Sequence, residues 1–569
     1  MLRLGAADAG RCRRRIHLEH DPAADRSLRR PPEPGLQLRL ADLAAHREVV
    51  HDRLASTIEL VEDWDPAGAD RPAAVWAPRL ASATRIATPD LLLRAPDGGY
   101  LPVLVRGHRT LDPGTGAPCS DLDLALPGLL APVPSAARKA RSHHADALAL
   151  AHVYRTLGEL GLASGDARGG IIGKGGPAAD ADWDDGALIL WHRLGPGGAV
   201  TGENATTDQP ATPALAEYDA RFADRLAVAR AAATGQPALA QPSRVAECRR
   251  CPWWPVCEPE LQASRDVSLL VAGSDVDVLH DAGVVTYDDL AALDPRIAAA
   301  LPLTGIPAAD ARARALALIA GAPLVRRTAR VDPRRADVEL DVDMESYLDD
   351  GAYLWGTYLT TAGDTAPPPG FAPGYRPFVT WLPLNSPTAA ENFVAFWRYL
   401  TQLRQACSAA GRTFAAYCYS RKAEERWLYG TPQRFPHVAG MPTRSEVDRF
   451  CSSGQWVDLY AEIKRCFVVP GSLRLKKVAE VAGFGWRDPE PSGENSMAWY
   501  RIATSGDGSD ARAHRSRILR YNEDDVRATL ALRHWMTDRS HEMPTVADLD
   551  TYRGGMRSAP SNRMTSPLR

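Results

Sequence analysis

The chain has 569 residues, of which 45% are hydrophobic and 24% charged, and its formal net charge is −3. These are values of an ordinary soluble globular protein, and the length predicts about three domains. No run of about 18 apolar residues exists, and the basic N-terminus has no apolar stretch behind it. We therefore expect neither a membrane span nor a secretory signal. A cytoplasmic location is the expectation that follows. The missing basic excess argues against a general nucleic-acid coat protein.

Residues 1–261 are predicted to form a mixed α/β domain. The segments TPDLLLRA (88–95) and YLPVLVRGH (100–108) are typical of two strands, joined by the turn PDGG. The apolar spacing of residues 146–161 predicts an amphipathic helix.

Three of the nine cysteines form a close triplet, Cys248-x2-Cys251-x5-Cys257. An odd number of cysteines in a reducing compartment argues against a disulfide framework, whereas close thiols there usually bind metal. A tetrahedral zinc site or a cubane cluster needs a fourth ligand. The candidates are Cys12 and, for zinc, His17 or His20.

A distant N-terminal cysteine followed by such a triplet resembles the iron–sulfur RecB-type nucleases, including CRISPR-associated exonucleases of that class. The resemblance implies a restriction-endonuclease-like PD-(D/E)xK fold whose ends are joined by a 4Fe–4S cluster, with Zn²⁺ as the alternative. Asp90 matches the first catalytic Asp of the family, but Leu104 and Arg106 stand at its Glu-x-Lys motif. Of the Gln-x-x-x-Tyr motif only Tyr154 is present. The domain is therefore expected to be a degenerate nuclease.

Such a domain could still bind DNA through basic side chains. The candidates are Arg106, His108, Arg109, Arg138, Lys139 and Arg141. The alternative is that they form an ordinary solvated basic face.

Residues 262–330 contain two helix–turn–helix units, at 279–295 and 300–322. They resemble helix-hairpin-helix modules, in which backbone N–H groups of the hairpin hold a DNA phosphate without reading sequence. A plain helical linker domain is the alternative.

The third predicted domain, residues 331–540, opens with the strand ADVELDVDMES (336–346), in which apolar and acidic residues alternate. The period of two places Glu339, Asp341, Asp343 and Glu345 on one face. Four carboxylates there repel one another unless the strand is a solvated edge or divalent cations bind them.

Two later segments favour cation binding. The strand-to-helix segment 414–428 carries Glu424 and Glu425, and the helix 516–536 places Tyr521 and Asp525 on one face. Carboxylates from these elements can converge around two Mg²⁺ or Mn²⁺ ions, which suits phosphodiester hydrolysis. A nearby tyrosine can orient the attacking water.

These motifs resemble the DEDD exonucleases of the ribonuclease H-like fold, in their tyrosine-containing variety. Asp343-Met344-Glu345 matches the first motif, Gly356 the glycine on the next strand, and Tyr521-x3-Asp525 the third motif. The second motif, Asn-x-x-x-Asp, aligns with Ser420-x3-Glu424, so both marker residues differ. Asp458 is an additional ligand or a helix cap.

The sequence thus predicts an α/β multidomain protein with a polar, disordered tail at 541–569. Resemblance implies a metal-dependent 3′–5′ exonuclease acting on single-stranded or frayed DNA in repair or recombination. Its catalytic residues would be Asp343, Glu345, Glu424, Tyr521 and Asp525. The alternatives are an inactive nucleic-acid-binding scaffold and an RNase.

Overall fold

The computed structural model of the protein describes residues 2–174, 187–196 and 212–557. The chain divides into two compact units, Met1–Ser243 with Glu247–Glu258, and Arg244–Ala246 with Pro259–Arg569. None of the helices in the described ranges combines the length and apolar character that crossing a bilayer requires.

The first unit is built on a seven-stranded mixed sheet in the order β1-β4-β5-β10-β11-β7-β8. Its strands, with two small ribbons (β2-β3 and β6-β9), are β1 (Ala74–Trp76), β2 (Leu80–Ala81), β3 (Ile86–Ala87), β4 (Leu91–Arg94), β5 (Tyr100–Val105), β6 (Leu111–Pro113), β7 (Pro118–Asp121), β8 (Val133–Pro134), β9 (Arg138–Ala140), β10 (Arg168–Ile172) and β11 (Leu188–Arg193). Its helices are α1 (Arg13–His20), α2 (Pro34–Ala55), α3 (Leu126–Leu129), α4 (His144–Glu159) and α5 (Ala214–Ala233), and α6 (Trp254–Ala263) continues into the second unit.

Both faces of this sheet are covered. Leu92 and Leu104 pack in a core with α4 and α5, whereas Leu93 and Val103 pack on the other face with α2 and α3. The antiparallel pair β4 and β5 is confirmed, and Gly98 in the turn between them has a φ of +86°, which favours glycine.

The second unit begins with the helices α7 (Ser274–Asp281), α8 (Tyr287–Ala292), α9 (Pro295–Ala299) and α10 (Ala308–Ile319). In the hairpin at residues 304–305, the backbone N–H groups of Thr304 and Gly305 donate to the buried Asp275 carboxylate at 2.8 and 2.9 Å. The N–H groups of Val285 and Thr286 donate to Asp289. Side-chain carboxylates of the same unit therefore accept from these backbone amides, and the helix-hairpin-helix resemblance stays a prediction.

The rest of the unit contains a five-stranded sheet in the order β15-β14-β13-β16-β17. β14 runs antiparallel to its two neighbours, β13 and β15, and β16 and β17 run parallel to β13. The strands, with the short pair β12-β18, are β12 (Val325–Arg326), β13 (Val338–Tyr347), β14 (Gly351–Thr361), β15 (Gly374–Val379), β16 (Phe414–Cys418), β17 (Trp456–Asp458) and β18 (Phe467–Val468). The helices are α11 (Glu391–Ala409), α12 (Arg421–Arg434), α13 (Arg444–Cys451), α14 (Leu459–Cys466), α15 (Leu475–Val481), α16 (Gly493–Ala503), α17 (Ser509–Asp538) and α18 (Val546–Arg557).

The alternation in β13 separates two buried surfaces. Val338, Leu340 and Val342 pack into an apolar core with α11. The acidic face lies against α17, a helix of 30 residues. β13 is therefore a central strand of the sheet, which excludes the solvated-edge explanation of its four carboxylates.

Arg533 of α17 neutralises the first half of this acidic face. Its fully buried guanidinium is ion-paired with Glu339 and, at 2.6 Å, with Asp341. Arg335 and the Tyr417 hydroxyl also donate to Glu339. These two acids are thus part of a structural ion network.

The end of the chain differs from the expected disordered tail. Helix α18 packs Leu549 into the core of the helical region, and Asp550 is ion-paired with Arg312 at 2.7 Å. These two contacts order a segment whose polar composition indicates disorder. The tail beyond residue 557 lies outside the described residues.

We expect Arg533→Met to destabilise the protein by about 3–5 kcal/mol, because it leaves Glu339 and Asp341 buried without their cation. Urea unfolding measures the change, with Arg527→Met on the exposed side of the same helix as the control. Adding Glu339→Gln and Asp341→Asn should recover part of the loss. Equal stability of the two single variants would contradict the role of the network.

Candidate active site

The second half of the acidic face forms a cluster with α17. Ligand oxygens of Asp343, Glu345 and Asp525 all lie within 4.8 Å of one another. Asp343 is half-buried, and Glu345 and Asp525 are buried. The structure thus brings together carboxylates that lie about 180 residues apart in the sequence.

Gly356 allows α17 to approach the sheet at this point. It is paired with Asp343 across β13 and β14, and a Cβ added to it would lie 1.6 Å from Oδ1 of Asn522. The Asn522 amide uses this space to donate to Asp343 at 2.8 Å, and its oxygen accepts from the Tyr375 hydroxyl at 2.8 Å. Asn522 therefore orients Asp343.

The other two carboxylates also have fixed partners. The Ser496 hydroxyl on α16 donates to Glu345 at 2.6 Å, and the Trp486 indole N–H donates to Asp525 at 2.7 Å. These bonds hold one oxygen of each acid in place.

A lysine lies beside the cluster. The Lys476 ammonium on α15 donates to the Tyr521 hydroxyl at 2.7 Å and lies 3.6 Å from Asp525. Tyr521 is buried, and desolvation and the charge of Asp525 raise its pKa well above 10, so its hydroxyl is protonated at neutral pH. Tyr521 can therefore both accept from Lys476 and donate to a second group.

Glu424, the altered residue of the second motif, points into the protein. It is 2% exposed, and its Oε2 atom is buried with no hydrogen-bond partner among the described residues. Its charge contributes to the raised pKa of Asp343, but it is not one of the three acids that lie within 4.8 Å of one another. Ser420 directly precedes α12 with a φ of +80°, and its side chain makes no capping hydrogen bond to the described part of that helix.

Asp458 acts as a helix cap. It accepts from the backbone N–H groups of Tyr460 and Ala461 at the start of α14, and from Ser420 at the start of α12. These bonds tie the ends of β16 and β17 together, which favours the structural alternative for this residue.

The cluster carries an excess of negative charge for a buried site. Burial, and then the charges of Asp525, Glu345 and Glu424, raise the pKa of Asp343 well above its ordinary value. Burial and the charge of Asp525 raise the pKa of Glu345 to about 8. Burial also raises the pKa of Asp525, against the lowering effect of Lys476. A bound cation would relieve this repulsion.

Sequence reasoning missed Lys476, Trp486, Ser496 and Asn522. Lys476 lies on α15, Trp486 between α15 and α16, and Ser496 on α16, and none of the three motifs covers these segments. Asn522 directly follows Tyr521 in the third motif, and the need for glycine at position 356 is the one signal that could have indicated it.

The predicted cysteine ligands lie in one region of the first unit. Cys12 directly precedes α1 and Cys257 lies in α6, while Cys251 and Cys257 pack with Leu18 and the fully buried Trp253. Burial, and to a smaller degree the charge of Cys12, raise the pKa of Cys251. In the described residues, no three cysteines have their sulfurs within 4.8 Å of one another.

The residues predicted to be a remnant of a nuclease motif have partners within the protein. Asp90 accepts from the backbone N–H of Val105 at 2.7 Å and is ion-paired with Arg47 at 2.7 Å. Leu104 is buried in the core, and the Tyr154 hydroxyl donates to a backbone carbonyl.

The basic candidates of this unit are partly engaged within it. Arg106 and His108 contact opposite oxygens of Asp146, at 2.7 and 2.8 Å. Arg141 is paired with Asp112 at 3.4 Å. Arg138 and Lys139 lie on β9, and the Arg109 guanidinium lies 3.5 Å from the Leu111 carbonyl. Lys139 and Arg141 are exposed.

A model of the RNase H superfamily matches residues 389–537. The range contains Glu424, Tyr521 and Asp525, and it begins after Asp343 and Glu345, which β13 contributes to the same sheet. No curated protein and no solved structure matches the chain. The prediction of a ribonuclease H-like domain is confirmed, and such a domain is compatible with nuclease activity. The match does not extend to residues 1–388, so the RecB-type and helix-hairpin-helix resemblances stay predictions.

We expect the metal-free protein to lose stability as the pH rises. The pKa of Glu345 is raised in the folded state from its ordinary value of 4.5 to about 8, so the protonated side chain stabilises the folded protein. This contribution to stability is fully present below pH 4.5 and is lost as the pH rises through about 8. In EDTA the Tm should therefore fall over this interval by a few degrees, on the order of 2–4 °C per kcal/mol.

Thermal melts across the pH range measure this change. Added Mg²⁺ should restore the Tm at high pH more than at low pH, and Glu345→Gln should flatten the profile. Asp364→Asn, in an exposed loop, is the control. A profile that is unchanged in Glu345→Gln would contradict the assignment.

Proposed function

We propose that the C-terminal domain is a metal-dependent 3′–5′ exonuclease that hydrolyses phosphodiester bonds of single-stranded or frayed DNA. The observation that carries the proposal is the convergence of Asp343, Glu345 and Asp525 on the sheet of the ribonuclease H-like domain. The direction of hydrolysis rests on the resemblance of the three motifs to DEDD exonucleases.

The donor set fits hard divalent cations. The ligands are carboxylate oxygens, which Mg²⁺ and Mn²⁺ prefer. The buried Oε2 of Glu424 lacks a hydrogen-bond partner among the described residues, and each acid of the cluster has its pKa raised. Both observations support a site that is complete only with positive charge.

Asp343, Glu345, Glu424 and Asp525 would hold two ions. When bound, such a pair supplies an activated water and stabilises the leaving oxygen of the phosphodiester. The protonated Tyr521 hydroxyl orients the attacking water, and Lys476 fixes that hydroxyl. Asn522, Ser496 and Trp486 keep the carboxylates in the orientation that this chemistry needs.

The N-terminal unit would deliver DNA to this site without cutting it. Asp90 is ion-paired with Arg47, and the buried Leu104 cannot ligate a metal. Both observations support a degenerate nuclease domain. A 4Fe–4S cluster would be held by Cys12, Cys248, Cys251 and Cys257. The Trp253 ring packs against Cys251 and Cys257, and the guanidinium groups of Arg26 and Arg29 lie over that ring. This combination suits a role in DNA repair or recombination.

The nuclease proposal is tested with anaerobically purified protein and single-stranded DNA labelled at either end. We expect Mg²⁺- or Mn²⁺-dependent release of mononucleotides from the 3′ end. Asp343→Asn should lower the rate more than the ~10–100-fold typical of losing an outer-shell partner of a metal. Tyr521→Phe should lower kcat and leave the metal requirement unchanged.

Asp364→Asn is the control and should keep full activity. RNA of the same sequence in the same assay distinguishes an RNase, since a 2′-hydroxyl is then tolerated or required. Intact DNA with every metal, together with retained DNA binding, would reject the exonuclease and leave a nucleic-acid-binding scaffold.

The cluster proposal predicts a brown protein whose visible absorbance bleaches on reduction. Cys251→Ser should remove both the colour and the bound iron, whereas Cys119→Ser, at a buried cysteine in β7, should keep them. Stoichiometric zinc without iron in anaerobic preparations would identify the alternative metal.

A further inference from the structure

The first unit holds a second group of side chains with metal-ligand chemistry, separate from its cysteines. Ligand atoms of His108, His143 and Asp146 all lie within 4.8 Å of one another. The His108 and His143 rings are 4.0 Å apart between centroids, and Asp146 is buried beside them. The proposed exonuclease function makes no use of this group.

Two well-packed elements position the three side chains. His108 follows the end of β5 by three residues, His143 is the cap residue of α4, and Asp146 lies in the first turn of that helix. Leu104 of β5 and Leu150 of α4 belong to the same buried core. The backbone on both sides of the group is therefore held by packing that does not depend on the group itself.

The hydrogen bonds around the group leave a ligand atom of His143 available to a metal ion. His143 contacts the Arg109 carbonyl through Nε2 at 2.9 Å, which places the proton on Nε2 and the lone pair on Nδ1. Metal-binding histidines commonly donate their second N–H to a backbone carbonyl in this way. Nδ1 of His143 has no other partner among residues 2–174, 187–196 and 212–557.

Asp146 is oriented in a similar manner. Arg106 donates to its Oδ1 at 2.7 Å, and Oδ2 lies 2.8 Å from Nε2 of His108. Two ligands at about 2.0–2.1 Å from a tetrahedral zinc ion are roughly 3.3 Å apart. The pair His108–Asp146 would need to open by only about 0.5 Å, which lies within side-chain freedom at the half-exposed His108.

We propose that His108, His143 and Asp146 bind one divalent ion of the zinc class. Two imidazoles and one carboxylate favour Zn²⁺ over Mg²⁺, since imidazole is a poor ligand for hard cations. Three protein ligands leave a fourth position for water. The ion fastens the segment after β5 to the start of α4, close to Arg106, which stands at the lysine position of the nuclease motif that this segment resembles.

The charges near the group set its affinity. Arg106 opposes a dication but contacts the oxygen of Asp146 that does not face His108. His192 on β11 lies near Asp146 and His143, and burial lowers its pKa, so it is neutral at physiological pH and adds no repulsion. The binding is therefore weaker than that of a site with two carboxylates, and removal of Arg106 should tighten it.

The test is a Co²⁺ titration of the full-length protein followed by absorption, with Zn²⁺ as the competitor. Excess Mg²⁺ is present to occupy the oxygen-only C-terminal site. Cobalt at the cysteines gives a thiolate charge-transfer band, whereas cobalt at the histidines gives ligand-field bands without it. The variants are His143→Ala and His108→Ala, and the control is His280→Ala, an exposed histidine of α7.

We expect wild type and His280→Ala to bind one equivalent of Co²⁺ without the thiolate band, and Zn²⁺ to displace it. His143→Ala and His108→Ala should lose this binding by at least ~100-fold in affinity, and circular dichroism in EDTA should show that both keep their fold. Arg106→Gln should tighten it. The absence of such binding in wild type, or equal binding in all variants, would overturn the proposal and leave Arg106–Asp146–His108 as a structural ion network.

Discussion

The structure of the C-terminal unit depends on how one helix neutralises one strand. β13 presents four carboxylates to α17 in the interior, where uncompensated charges are very costly. Arg533 compensates Glu339 and Asp341 at one end of the contact. At the other end α17 presents Asp525, another acid, to Asp343 and Glu345. The same pair of elements thus builds a permanent ion network and, beside it, a pocket whose negative charge is only partly compensated.

This division explains why the pocket can be both rigid and reactive. The buried network fixes the position of α17 on β13 without any contribution from a metal. The carboxylates of the pocket then keep their positions through Asn522, Ser496 and Trp486, which are neutral donors and do not cancel the negative charge. Lys476 supplies one positive charge to three acids, which leaves room for further cations. Repulsion within the pocket is tolerated because the rest of the interface is already paired.

The sequence predicted those parts of the fold that local periodicity determines. Alternation defined β13, the spacing Tyr521-x3-Asp525 placed two side chains on one face of α17, and the turn at Gly98 identified the hairpin of β4 and β5. Alternation alone did not show which of the four acids meet an arginine, because Arg533 lies nearly 200 residues away. The same limit applies to Asp275, which takes the hairpin amides, and to Leu549, which orders the end of the chain. Partners separated this far in sequence leave no periodic signal.

Gly356 and Asn522 have a consequence for related sequences. The amide of Asn522 occupies the volume that any side chain at position 356 would need, since an added Cβ would lie 1.6 Å from its oxygen. The two positions are therefore expected to covary across homologues. A relative with alanine or serine at the position of Gly356 should carry a smaller residue than asparagine on the helix, and a different donor should then orient the first aspartate. Such pairs would separate homologues with this arrangement from those that support the same carboxylate in another way.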